Sequence, residues 1–340
     1  MPDSNVPGST QTPPVAQEHL EAAAEWFARL RDGEADEAVR QNWRLWLAQH
    51  SDHQAAWDFV ASVGRRFAPL QAEGESEAAS SVLRAQRRKR TSRRRVLTGL
   101  AGVAGLGLLG WGAHRFTPLQ ASIVAWQADE HTAVGEIREL GLDDGARLWL
   151  STASAINRAA GTGPQRIELL QGEIFVATDG GSGGGDSERP LYVTTQHGEM
   201  RPLGTQFAVR RQGDTSLLAV FDGTVELRTA ASAERRQISA GEQVAFTATR
   251  IAAVAAADPA REAWTRGILL ARNITLGELA EELARYQLGY LGVAPEVADL
   301  RVIGGFPLRD PDRALDMLAD SLPIRIHRPL PWWTTIQPAG

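Results

Sequence analysis

The spacing of apolar residues changes along the chain and divides it into units. Between 16 and 68 they recur every three or four positions: Leu20, Ala23, Phe27 and Leu30 share a helical face with Trp26 beside it. Val39, Trp43, Trp46 and Leu47 mark a second helix, and Ala56, Val60, Val63 and Phe67 a third with Trp57 adjacent. Gly33 is placed to end the first helix, while Ser51, with Gln54 three residues on, is placed to cap the third. A small all-α bundle is predicted. From 129 to 250 the period shortens to two, as at Ala146, Leu148 and Leu150 or at Val225 and Leu227, which is the period of half-buried strands. Asp144-Gly145 and Asp222-Gly223 read as hairpin signals, with further glycine turns at Gly172 and Gly241, so an all-β antiparallel sandwich or barrel-like domain is expected. Helical spacing returns over 263–340. There Thr275 and Glu278 form a capping box ahead of Leu276, Leu279, Leu283 and Tyr286, and Asp310-Pro311 opens a helix that turns Leu315, Leu318 and Leu322 inward. Strand-like pieces flank both helices, which predicts an α+β domain of βαβ repeats.

The stretches between these units carry their own signals. Residues 1–15 are rich in Pro, Ser and Thr and read as disordered. Residues 69–95 form a polar linker, first acidic and then basic, and 114–128 and 251–262 are further linkers. The run 96–113, VLTGLAGVAGLGLLGWGA, carries no charge. At helical rise it reaches about 27 Å, close to the roughly 30 Å hydrocarbon layer, and is predicted to be a single transmembrane helix. Arg84, Arg87, Arg88, Lys89, Arg90, Arg93, Arg94 and Arg95 precede it, and only His114 and Arg115 follow closely. The positive-inside rule then puts the N-terminus in the cytoplasm and the C-terminus across the membrane. A buried glycine-rich core helix is the competing reading. Arg93, Arg94 and Arg95 resemble a twin-arginine export signal, or else they simply orient the helix. Six glycines from Gly99 to Gly112 soften the span, which suits a substrate of membrane proteases or close packing against another helix.

Composition narrows the chemistry. A net charge of -5 over 340 residues argues against direct nucleic-acid binding. With no cysteine, thiolate metal sites and thiol nucleophiles are excluded. The seven histidines are scattered; His50 and His53 alone are close, and they read as a solvated helix face, so no metal is expected. The Gly180–Gly185 loop lacks the Lys and Ser or Thr that a phosphate loop needs. No cofactor is implied, and nothing marks a conventional enzyme.

Residues Ala23 to Val60, AAEWFARLRDGEADEAVRQNWRLWLAQHSDHQAAWDFV, resemble the N-terminal domain of FecR-like sigma regulators: a Trp-bearing helix, a Gly turn, a W-x-x-W-L helix and an H-x-x-A-W helix. The resemblance implies binding of an extracytoplasmic-function (ECF) sigma factor, with Trp26, Trp43, Trp46 and Trp57 as contact candidates. Gly135-Glu136, DDGARLWLSTAS from Asp143, RIELLQGEIFV from Arg166, RPLYV from Arg189, LGTQFAV from Leu203 and FDGTVEL from Phe221 resemble the FecR domain in order. Ser151, where the family often has Asn, and the 180–185 loop depart from it at turns. Some siderophore-linked members cut themselves at a Gly-Thr bond equivalent to Gly204-Thr205; a plain turn feeding a strand is the alternative. The last unit resembles the short domain shared by secretins and TonB-dependent receptors. The resemblance implies contact with a receptor's signalling domain, for which Trp332 and Trp333 are candidates as an exposed pair, or as a clasp on their own domain. The expected whole is an anti-sigma factor, or sigma regulator, relaying a periplasmic signal through regulated proteolysis and controlling iron-siderophore uptake. A membrane-anchored periplasmic scaffold without sigma-factor control is the alternative.

Overall fold

The computed structural model describes residues 15–31, 36–65, 67, 128–142, 145–159, 164–178 and 190–339. The expected span 96–113, the arginines Arg93, Arg94 and Arg95, Gly33, Asp144 and the Gly180–Gly185 loop lie outside them. No helix among the described residues is long and apolar enough to cross a membrane.

Helices α1 (Gln17–Arg31) and α2 (Glu37–Gln49) are followed by α3 (51–65). Asp36 caps α2 by accepting from the Val39 amide. The capping box expected at Ser51 is replaced by His50, whose Nδ1 accepts from the Asp52 amide at 3.2 Å. His50 is extended, and its ring reaches over the first turn of α3.

The β domain comprises β1 (Glu130–His131), β2 (Arg138–Gly141), β3 (Arg147–Leu150), β4 (Ala155–Ala159), β5 (Gln165–Gln171), β6 (Glu173–Ala177), β7 (Leu191–Thr195), β8 (Gly198–Pro202), β9 (Gln206–Gln212), β10 (Thr215–Asp222), β11 (Thr224–Thr229), β12 (Arg235–Ser239), β13 (Glu242–Phe246) and β14 (Ala255–Ala256). They form two seven-stranded sheets, ordered β1-β4-β5-β7-β8-β11-β12 and β14-β13-β10-β9-β6-β3-β2. Leu148, Leu150, Ile167, Leu169, Ile174, Phe207 and Leu218 are wholly buried between them. Each such side chain contributes about 1.5–3 kcal/mol by leaving water.

Two expectations need correction. The sheets are antiparallel except for β5 and β7, which run parallel because the strand between them in sequence, β6, belongs to the other sheet. β2 and β3 pair as a hairpin on either side of Gly145, but Asp222-Gly223 joins strands of different sheets, and so do Gly172 and Gly241. These glycines turn corners of the sandwich. Gly172 (φ +84°) and Gly223 (φ +73°) lack room for a side chain: a Cβ would overlap Ser154 at the first and the Gly204 carbonyl at the second. Both a hairpin and a corner need positive φ, so glycine alone does not tell them apart.

Residues 251–262, expected as a linker, are ordered: β14 extends the second sheet and a 3-10 helix, Pro259–Arg266, buries Trp264. Beyond it come β15 (Ile268–Thr275), α4 (Leu276–Ala284), β16 (Tyr290–Val293), α5 (Pro295–Ala298), β17 (Arg301–Pro307), α6 (Pro311–Ser321), β18 (Ile324–Leu330) and β19 (Trp333–Pro338). The Thr275–Glu278 capping box forms, and Asp310 caps α6. β15 pairs with β17; β16 lies parallel to β19, which pairs with β18. The core of this unit runs on into Phe175 and Ala208 of the sandwich, so the two are packed as one body.

Candidate functional site

The four N-terminal tryptophans are all partly buried. Trp43 packs on Trp57 at 4.8 Å between ring centroids, Trp26 on Trp46 at 6.5 Å, and Trp57 on Phe27 at 5.7 Å. They line the helix contacts with part of each ring still open. Trp43 Nε1 is buried with no acceptor among the described residues. His50 and His53 are not a plain solvated pair, since His19 of α1 joins them, its ring 4.8 Å from that of His53.

Trp332 and Trp333 correct the expectation of an exposed pair: they are 3% and 0% exposed. The helices α1 and α3 cover them. Phe27 meets Trp332 edge-on at 5.6 Å, Phe67 stacks on it at 5.9 Å, Phe59 meets Trp333 at 6.0 Å, and Tyr290 stacks on Trp333 at 4.0 Å. Gly64 of α3 leaves the space that Phe27 and Trp332 fill. Two hydrogen bonds fix the register: the Tyr290 hydroxyl donates to Gln17 Oε1 at 2.9 Å, and Gln337 Nε2 donates to Glu21 Oε2 at 2.7 Å. Burial pushes the Tyr290 phenol up to about 12, against the pull of Gln17 and with a smaller push from Glu21. The indole nitrogens of Trp332 and Trp333 find no acceptor among the described residues.

Gly204-Thr205 lies between β8 and β9, at the Gly223 corner. Gly204 has φ +74°. Thr205 is 1% exposed, its amide donates to Thr178 Oγ1 at 2.8 Å, and its carbonyl accepts from the Thr178 amide at 2.9 Å. Its own Oγ1 is buried without a hydrogen-bond partner among the described residues.

Sequence reasoning missed the seam between the sandwich and the C-terminal unit. Arg285 lies 2.8 Å from Glu173 and 2.8 Å from Glu282, and Arg210 of β9 lies 2.6 Å from Glu282. Burial alone would raise the Glu282 carboxyl, yet Arg285 and Arg210 hold it down at about 2. Ser151, read as a turn substitution, is wholly buried, and its hydroxyl is 2.8 Å from that of Tyr286. Thr152 adds a bond to the Arg285 carbonyl. Apart from Arg285 and Glu282, three positions apart, these residues meet partners 72 to 135 positions away, which no local pattern flags.

A two-sheet sandwich fused to an α+β unit and preceded by three tryptophan-bearing helices is the class of protein these observations define. Residues 128–226 match the family described as FecR protein, and residues 21–63 match a domain of unknown function, DUF4880. The chain is thus similar to FecR protein over its sandwich and to DUF4880 over its helices. Two crystal structures of a candidate anti-sigma factor from Parabacteroides distasonis ATCC 8503, at 2.50 and 1.65 Å resolution, are similar to it at 19% sequence identity. Their TM-scores are 0.47 and 0.48, over 62% of this chain and 98% and 99% of theirs. No curated protein matches the chain.

Proposed function

We propose that this FecR-like chain is a single-pass inner-membrane regulator of an ECF sigma factor. The observation that carries the reading is the order of parts: an aromatic three-helix unit matching DUF4880, an uncharged run behind a block of arginines, and a FecR domain. Partly open tryptophans at Trp26, Trp43, Trp46 and Trp57 suit a partner's apolar surface, tryptophan being favoured where binding energy concentrates. In this reading the C-terminal unit takes its signal from the signalling domain of a TonB-dependent receptor. Membrane proteases then cut the glycine-softened span, and genes for iron-siderophore uptake respond.

The test uses an ECF sigma factor of the same organism, sought first in the neighbouring reading frames. The full chain should co-purify with it, and transcription from its promoter should change both on deleting the gene and on expressing residues Met1 to Arg90 alone. A periplasmic scaffold would leave that promoter unmoved, and such a result would overturn the reading.

The packing of α1 and α3 on Trp332 and Trp333 requires both units on one side of a bilayer. It is exclusive with a chain whose 96–113 segment crosses, so we assign it to the chain before insertion. Export after folding, the twin-arginine reading of Arg93, Arg94 and Arg95, agrees with that assignment. Two indole N–H groups without an acceptor among the described residues, at about 1–3 kcal/mol each, make the contact easier to separate.

Self-cleavage at Gly204-Thr205 belongs to the same reading. Thr205 Oγ1, without a hydrogen-bond partner among the described residues, attacks the Gly204 carbonyl carbon; the C–N bond breaks as the Thr205 nitrogen takes the hydroxyl's proton; water opens the resulting ester and restores the hydroxyl. Thr178 Oγ1 accepts from the N–H of that nitrogen and so orients the amide for the attack.

A further inference from the structure

The corner between α2 and α3 gathers more imidazole than its turns require. His50 Nδ1 caps α3, and His53 Nδ1 lies 2.7 Å from the Trp46 carbonyl. A carbonyl only accepts, so the His53 proton sits on Nδ1. Capping accounts for both rings. It does not account for His19, which comes from the first turn of α1 and stacks on His50 with 5.8 Å between centroids and 19° between planes. One ligand atom from each of His19, His50 and Asp52 lies within 4.8 Å of the others. The His50 Nδ1 lone pair that accepts from the Asp52 amide would pass to a bound ion, and this nitrogen lies 3.4 Å from Asp52 Oδ2. That is the spacing a tetrahedral ion with bonds of about 2.1 Å imposes on two of its ligands, roughly 3.4 Å.

We propose that His19, His50 and Asp52 form a divalent-metal site that clips the start of α1 to the α2–α3 corner. Two imidazoles and a carboxylate suit zinc, cobalt or nickel, whereas magnesium and calcium take oxygen ligands. The three side chains are partly exposed, at 23%, 56% and 46%, so an ion can enter from solvent, and three protein ligands leave a position for water. Glu18, 4.0 Å from His19 Nε2, adds negative charge beside the ion. His53 stays outside the ligand set, its Nδ1 held by Trp46 and its face stacked on the Trp46 ring at 4.3 Å and 9°. An ion would therefore fix the corner against which Trp46 packs. Binding of the metal does not depend on the sigma-factor reading; only the consequence for Trp46 as a partner contact rests on it.

The test titrates the untagged full chain, held in detergent and stripped of metal with a chelator, with cobalt. The expected result is one saturable equivalent with the visible absorption of a tetrahedral ion, displaced by zinc. His19→Gln and His50→Gln should each abolish it, while His327→Gln, on β18, leaves it unchanged. Zinc should also slow diethylpyrocarbonate modification of His19 and His50 in the unsubstituted chain, which reads the site even if a variant fails to fold. No saturable cobalt binding, equal binding by the His19→Gln chain, or no zinc protection would overturn the proposal. No sigma factor is present in any arm, so failure here is distinct from failure of the regulatory reading.

Discussion

Arg285 at the end of α4 lies 2.8 Å from Glu173 at the start of β6, with the two side chains 15% and 6% exposed. The same guanidinium holds Glu282, which also pairs with Arg210, so two cations and two carboxylates close the seam without net charge. Breaking one member leaves the others buried and uncompensated. Arg285→Met should cost about 3–5 kcal/mol, read as a lower urea midpoint for the sandwich and C-terminal unit together. Glu173→Gln with Arg285→Met should recover part of the loss, because it removes the charge left behind.

The same network predicts an acid transition. Glu282 is held at about 2, below its ordinary 4.5, so the paired carboxylate stabilises the fold fully above about pH 4.5 and progressively less as pH falls toward 2. Unfolding measured across that window should show the loss in the natural chain and a smaller slope in Arg285→Met. An equal slope in both would place the acid sensitivity elsewhere.

His197 gives a second pH dependence of the same sign. It is 4% exposed, with Nδ1 2.9 Å from Ser216 Oγ, and burial, then Arg211, lower its pKa from 6.5 despite the opposing pull of Asp214. The fold therefore favours neutral His197. Its contribution is complete above pH 6.5 and is lost as the solution is acidified through and below that value. His197→Gln should flatten the dependence of the unfolding midpoint between pH 5 and 7.

Those two groups show where the sequence was legible. Period-two runs such as Ala146 to Leu150, and the caps at Thr275 and Asp310, are local, so each could be read from a few neighbours. Pairings fixed by the way the sheets fold over could not. Gly172 and Gly223 read as turns, and only the fold brings Ser154 and Gly204 of neighbouring corners against them. His19 precedes His50 by a full helix and a turn, so only the packing of α1 brings the two rings together. Trp332 and Trp333 read as exposed because the helices that cover them come from the other end of the chain.

Cleavage at Gly204-Thr205 should leave two fragments of the natural chain and one of Thr205→Ala. Thr178→Val removes the hydroxyl beside the leaving nitrogen and should slow the cut, with Thr178→Ser restoring it. Gly223→Ala should also interfere, since a methyl there would overlap the Gly204 carbonyl. A natural chain that stays whole through purification and incubation would leave Gly204-Thr205 a plain turn.

The contact between the two ends of the chain can be trapped because the protein has no cysteine of its own. Glu21→Cys with Gln337→Cys places two thiols where a 2.7 Å hydrogen bond now joins the side chains. A short bismaleimide should link them in a chain lacking 96–113, and should fail in the full chain once it is inserted in a membrane. Linking of the inserted chain would refute opposite-side placement of the ends. The contact should also weaken in alkali: Tyr290 is pushed up to about 12 from an ordinary 10, so its neutral hydroxyl supports the packing fully below pH 10 and less as pH climbs toward 12. Trp332→Ala, which empties the space between Phe27 and Phe67, should cost about 3–5 kcal/mol of that packing and abolish linking at every pH.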